Sequence, residues 1–204
     1  MIRDIFKTSF LNIWPLIVIV TVTLVLVRFF YIRYHKPSAK FYREFWTYIA
    51  ILYMLLLYEL VTRVDVNMAS GYNIVPFREI FRYEINSKLF IYNVFGNIAL
   101  FMPFGFIVSA YIKPKRIWPS LLIAIIVSTT TEFVQLNIGR SFDIDDIILN
   151  TIGCILGSLL FIGAKAIHRH LPKVLKSDWL NNLICIIITI IMIVAAIHVL
   201  GISF

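Results

Sequence analysis

The chain has 204 residues, 60% of them hydrophobic and 15% charged, and a formal net charge of +8. Soluble domains hold about 45–50% apolar and about 25% charged residues. A mean hydropathy of +0.88 on top of that balance excludes a disordered chain and an ordinary soluble domain.

The Lys and Arg residues sit in short clusters between apolar runs. That pattern suits orientation in a membrane, with lipids as partners, and argues against a nucleic-acid face. Cys154 and Cys185 both lie inside apolar runs and form neither a metal-ligand pattern nor a disulfide framework. No cofactor motif is present, and no metal is expected.

A spanning helix needs roughly 20 mostly apolar residues. Residues 10–31 form the first candidate. The run is longer than a signal-peptide core and lacks a small-x-small cleavage site, so it reads as a retained anchor. Residues 45–62 form the second span, with Glu59 near its end. The connection 63–92 is the longest, and long connections in compact proteins are often functional. It contains Asn73-Ile74-Val75-Pro76-Phe77-Arg78, and Ile80, Phe81 and Tyr83 with Arg78 and Arg82 suit a segment lying flat at the interface.

The third span, 93–112, places Asn93, Asn97 and Phe101 on one helical face at a spacing of 4. Pro103 and Gly105 then predict a kink near mid-membrane. The fourth span, 117–136, carries Glu132, with Gln135 on the same face. A charge at the bilayer centre costs about 2.5–3.5 kcal/mol, so Glu132 is expected to face the protein interior. Its expected partner is Arg140, brought back by a tight turn at Gly139. The fifth span, 144–166, opens with Asp143-Ile144-Asp145-Asp146. Ser141 or Asp143 can cap the helix, and the acids suit the positive end of its dipole. Asp146, Asn150, Gly153 and Gly157, spaced 4, 3 and 4, continue as a polar-to-small stripe on one face. Gly153-x-x-x-Gly157 permits close helix approach. Residues 181–203 form the sixth span.

The expected fold is all-α, an integral-membrane bundle of about six transmembrane helices, five at the least. Residues 1–204 are expected to form a single transmembrane domain. Basic residues number eleven on one set of alternate loops and seven on the other. This predicts residues 113–116 in the cytoplasm and both termini outside. Nine of the 11 acids then fall at or beyond the outer ends of spans, so the polar chemistry gathers at the outer face.

Four pieces resemble the VanZ-like family of membrane proteins. They are Asn73-Ile74-Val75-Pro76-Phe77; Asn93 to Gly105; Glu132-Phe133-Val134-Gln135; and Gly139 to Asn150 with Gly153 and Gly157. The family takes its name from a glycopeptide-resistance accessory protein. The resemblance implies a protein of the bacterial cytoplasmic membrane and a link to low-level teicoplanin resistance. It supplies no established catalytic residue. The candidate ligand-binding cluster is Asn73, Arg78, Asn93, Asn97, Glu132, Gln135, Arg140, Asp143, Asp145, Asp146 and Asn150.

Three functions compete. The favoured one is a non-enzymatic protein acting on the cell envelope by binding a lipid-linked cell-wall precursor or a glycopeptide, with an anionic headgroup held by Arg140 and the asparagines. The second is an integral-membrane hydrolase or transferase using Asp145, Asp146 and Glu132 with a divalent metal, although no His-Glu-x-x-His or Gly-x-Ser-x-Gly occurs. The third is a small carrier built around Glu132 and an interrupted span three, without an inverted repeat to support it.

Overall fold

The computed structural model describes residues 2–35, 40–63, 71–85, 87–114 and 116–200, with side chains for all but 2–6, 173, 174 and 195–200. Lys36, Asp65, Lys115, residues 201–203 of span six and the side chains of Arg3, Asp4, Lys173 and His198 therefore lie outside the described residues.

The fold is all-α. Its helices are α1 (Ile2–His35), α2 (Phe41–Thr62), the short α3 (Lys88–Phe90), α4 (Gly96–Ile112), α5 (Trp118–Asn137), α6 (Ile144–His170) and α7 (Asp178–Leu200). A π-helical turn, Ile91–Phe95, joins α3 to α4. Among the described residues, five helical segments are long and apolar enough to cross a membrane: Lys7–His35, Phe41–Thr62, Lys88–Ile112, Trp118–Asn137 and Ile144–His170. The sixth helix, α7, runs from Asp178 to Leu200 and is apolar over its described side chains, Asp178–Val194.

The chain divides into two compact units, Met1–Leu60 with His170–Phe204, and Val61–Arg169. In the first, polar pairs tie α1 to α2. The Asn12 amide donates to Glu59 at 3.0 Å, Thr21 and Tyr48 share a hydrogen bond of 2.8 Å, and Arg28 pairs with Glu44. Lys40 meets Asp178 at 2.8 Å, and that carboxylate raises the Lys40 pKa. Both partners are largely exposed, so water screens the pair.

The second unit is built on α4, α5 and α6. Helix α5 buries Ser120, Ala124, Ser128, Glu132 and Gln135, a stripe with helical spacing. Helix α6 buries Asn150, Gly153, Cys154, Gly157 and Ser158, and α4 buries Phe101, Phe104, Gly105 and Ser109. Small residues let these backbones meet. A Cβ on Gly105 would land on the Cys154 carbonyl, one on Gly153 on the Ile98 carbonyl, and one on Gly157 on the Met102 carbonyl. In a membrane, dispersion and polar contacts rather than water exclusion hold helices together, so such closeness matters. The hydroxyl pair Ser109–Ser120 at 3.1 Å and the Ser158 hydrogen bond to the Gly105 carbonyl at 3.4 Å add polar links.

Pro103 lies inside a continuous helix rather than at an interruption of the span. Helix α4 runs on through Pro103 to Ile112. Losing one N–H removes one ladder bond, and the flanking turns carry the helix across it. The irregularity of this span lies earlier, in the π turn at Ile91–Phe95. Lys113 ends α4 in a left-handed conformation, φ 50°, with its N–H on the Ser109 carbonyl at 2.9 Å.

Candidate functional site

Three segments meet at one end of α5 and α6. Helix α5 stops at Asn137, and Gly139 adopts φ 89°, as the tight-turn reading required. The chain then enters a two-residue strand, Phe142–Asp143, which pairs in parallel with Tyr72–Asn73 in the register Tyr72↔Phe142 and Asn73↔Asp143. The long connection is thereby fixed to the α5–α6 turn.

Two carboxylates organise this junction. Asp143 caps α6, accepting the Asp145 N–H at 2.8 Å and the Asn73 amide at 2.9 Å. Burial raises its pKa, and the two hydrogen bonds oppose that rise. Asp145 is 1% exposed and does more than complement the helix dipole. It accepts the backbone N–H groups of Phe77, Glu79 and Ile80 at 2.5, 2.7 and 3.2 Å. Phe77 is held at φ 67°, where a bulky side chain is strained by about 1–2 kcal/mol. Hydrogen bonds to a charged group contribute about 1.5–3 kcal/mol each, so three of them outweigh that strain. The turn at 75–80 is a nest of amides closed on a carboxylate.

Glu132 is also 1% exposed. Its Oε2 accepts the Asp143 N–H at 2.9 Å, while its Oε1 has no hydrogen-bond partner. The expected ion pair with Arg140 is not formed. Arg140 donates through Nη1 to the Val61 carbonyl at 2.8 Å and to the Arg63 carbonyl at 3.5 Å. The Gln135 amide donates to the same Val61 carbonyl at 2.9 Å. The last carbonyls of a helix lack internal partners and carry partial negative charge. The C-terminal end of α2 thus competes for Arg140 and wins it.

One turn below Glu132 on α5, Ser128 accepts the Asn150 amide at 3.1 Å. One turn above Asn150 on α6, Asp146 accepts the Asn97 amide of α4 at 2.5 Å. Glu132 on α5 and Asp146 on α6 therefore each lie one turn beyond the Ser128–Asn150 contact, toward the α5–α6 turn. Among the described residues, the ion pairs involve neither of them. Asn150 and Gln135 are 3% and 5% exposed, and the oxygen of each side chain lacks a partner.

The structure gathers Asn73, Asn97, Glu132, Gln135, Arg140, Asp143, Asp145, Asp146 and Asn150 into this one region. It does not gather Arg78 or Asn93. Arg78 is exposed, on an open depression of about 520 Å³ with Glu79, Phe81 and Arg82. Asn93 is exposed in the π turn, which alters the spacing-4 relation to Asn97. Of the residues expected to lie at the interface, Phe81, Arg78 and Arg82 are exposed, while Ile80 and Tyr83 are half-buried. Ser128 was missing from the expected set, although its place four residues before Glu132 marked it. Among the described residues, no group of three or more His, Cys, Asp or Glu could hold a metal ion. The divalent-metal reading therefore finds no ligand set there.

A family model described as VanZ/LLP1 matches residues 45–167, more than half of the chain. The chain belongs to the VanZ/LLP1 family. The matched stretch takes in every residue of the seam. The two VanZ-like helices α5 and α6 and the Asn73–Asp143 junction carry the buried polar groups, while α1 and α7 lie outside the match. No curated protein and no solved structure matches the chain.

Proposed function

We propose that this VanZ/LLP1 membrane protein acts at the outer face of a bacterial cytoplasmic membrane. There it engages a lipid-linked cell-wall precursor through the α5–α6 seam and limits the access of a glycopeptide such as teicoplanin. The observation that carries this reading is the set of unpartnered buried oxygens on Glu132, Gln135 and Asn150. Unsatisfied buried polar groups cost about 1–3 kcal/mol each, and a chain retains several of them in one region where a ligand satisfies them. Glu132 lies five residues before the end of α5. At about 1.5 Å per residue it sits within headgroup reach of the interface rather than at the bilayer centre.

The deciding experiment is a deletion strain. Loss of the protein lowers the inhibitory concentration of teicoplanin, and the wild-type chain restores it while Glu132→Gln does not. An unchanged inhibitory concentration together with an unchanged envelope lipid profile overturns the proposal.

Orientation follows from the bias of basic residues, with both termini outside and residues 113–116 in the cytoplasm. Cys154 and Cys185 are both fully buried, so the background for thiol labelling is low. Tyr72 is 73% exposed and Lys113 is exposed. On intact cells, Tyr72→Cys reacts with a membrane-impermeant maleimide and Lys113→Cys reacts only after lysis. The opposite order inverts the topology and removes the seam from the outer face.

A further inference from the structure

We infer that Arg78 and Arg82 hold the phosphodiester of an anionic glycerophospholipid, with Phe81 and its apolar neighbours set into the same leaflet. The site is separate from the α5–α6 seam and holds in either orientation of the chain. Both ends of the long connection run into spans, α2 at Thr62 and the segment Lys88–Ile112. Its middle is pinned as well. The N–H groups of Phe77, Glu79 and Ile80 donate to Asp145, the second residue of the span Ile144–His170. At hydrogen-bond distance, the backbone of 77–80 cannot rise away from that span end. The strand pair of Tyr72–Asn73 with Phe142–Asp143 adds a second tie. Segment 71–85 therefore sits at the level where a span meets the headgroups.

At that level its apolar side chains face outward. Tyr72, Ile74, Val75, Phe77, Phe81 and Ile85 are each at least half exposed, Phe81 at 75%. Single exposed apolar residues are ordinary on a protein surface, but six within one short, pinned segment call for a cover. The leaflet beside the span end is that cover. Aromatic and aliphatic side chains at this depth settle between headgroups and the upper acyl chains.

The charges select the lipid. Arg78 and Arg82 line the open depression of about 520 Å³ together with Glu79 and Phe81. Glu79 accepts from Arg82 at 3.0 Å. That bond uses one of the five donors of a guanidinium, and the Arg82 side chain remains 66% exposed. Among the described residues, no ion pair holds Arg78. Two guanidiniums against one carboxylate leave a single positive charge, which one phosphodiester anion balances. A guanidinium also forks onto two phosphate oxygens. A zwitterionic lipid carries its own cation to the same place and leaves the positive charge of the depression uncompensated, so an anionic headgroup binds more tightly. A soluble phosphate would balance the charge but leave Phe81 and its neighbours in water.

The test uses the purified full-length chain in nanodiscs of equal phosphatidylglycerol and phosphatidylcholine with identical acyl chains. Native mass spectrometry reads which lipid stays bound when the protein leaves the disc. The wild type is expected to retain phosphatidylglycerol in preference. Arg78→Gln and Arg82→Gln are each expected to cut that preference about fivefold, the contribution of one basic side chain at an anionic surface. Both arginines are exposed, so neither substitution disturbs packing. Lys165→Gln, near the far end of α6, is expected to leave the preference unchanged. A second measurement reads depth. Cys154 and Cys185 are fully buried, so Phe81→Cys takes up a bimane probe selectively. Its emission is expected to shift to the blue and to be quenched by a phospholipid carrying a nitroxide near the top of its acyl chain. Equal retention of the two lipids by the wild type, or a preference that survives the double substitution of Arg78 and Arg82, overturns the headgroup site. A probe at position 81 that emits as in water and escapes quenching overturns the docking to lipid, whatever the headgroup preference.

Discussion

Gly157→Leu is expected to remove folded protein from detergent extracts. A single Cβ at Gly157 already lands on the Met102 carbonyl oxygen. Overpacking a core costs about 1–3 kcal/mol where side chains can give way. Here the obstacle is the backbone of a neighbouring helix, which moves only if α4 and α6 separate along their contact. Gly153 and Gly105 meet backbone in the same way, so even alanine at these positions is costly. Gly163, on the same helix, has nothing within 4 Å of its would-be Cβ. Gly163→Ala should therefore be neutral, or stabilising by up to about 1 kcal/mol through helix propensity. Fluorescence-detected size-exclusion chromatography reads both. A monodisperse Gly157→Leu peak with wild-type thermal stability would show that the helices do not approach as described.

The second large effect is expected from Asp145→Ala. It leaves the N–H groups of Phe77, Glu79 and Ile80 without their acceptor and releases the strain held at Phe77. Unsatisfied donors cost about 1–3 kcal/mol each, but the turn borders solvent, and water recovers part of that. A net loss of roughly 3 kcal/mol, confined to 71–85, corresponds to amide exchange about 100-fold faster in that segment. Hydrogen–deuterium exchange measured by mass spectrometry should show this, with α5 and α6 little changed. Asp145→Asn keeps one oxygen and should fall between. Equal protection in the wild type and in Asp145→Ala would mean that the carboxylate does not hold the turn.

The spans were legible because bilayer thickness sets a length that composition alone reveals. The expected run 117–136 became Trp118–Asn137, and 144–166 became Ile144–His170. The stripe from Asp146 to Gly157 was legible too, since helical periodicity places those residues on one face whatever lies opposite. Three features were not. Arg140 was matched to Glu132 by charge, but backbone carbonyls at a helix end carry no mark in the sequence, and they hold its guanidinium. Pro103 was read as interrupting span three, yet one missing donor is tolerated inside a continuous helix. The role of Asp145 joins residues separated by 65 to 68 positions, beyond any local spacing rule. The conserved chemistry of a carboxylate says only that it will find donors, not where.

The π turn at Ile91–Phe95 gives the span leading into α4 a spare residue. Each residue in an α-helix turns the chain by about 100°, so a one-residue change in length ordinarily swings everything on one side of it to a new face. A π turn can shed its extra residue by reverting to α geometry. Lengthening or shortening of the connection ahead of it can therefore be taken up before Asn97. Past that point there is no slack: Asn97 is committed to Asp146, Met102 to Gly157 and Gly105 to Cys154. The helix behaves as a graduated rod with a sliding collar at one end, and variation in length between Ile80, the last residue tied to Asp145, and the π turn need not disturb the alignment on which the seam depends.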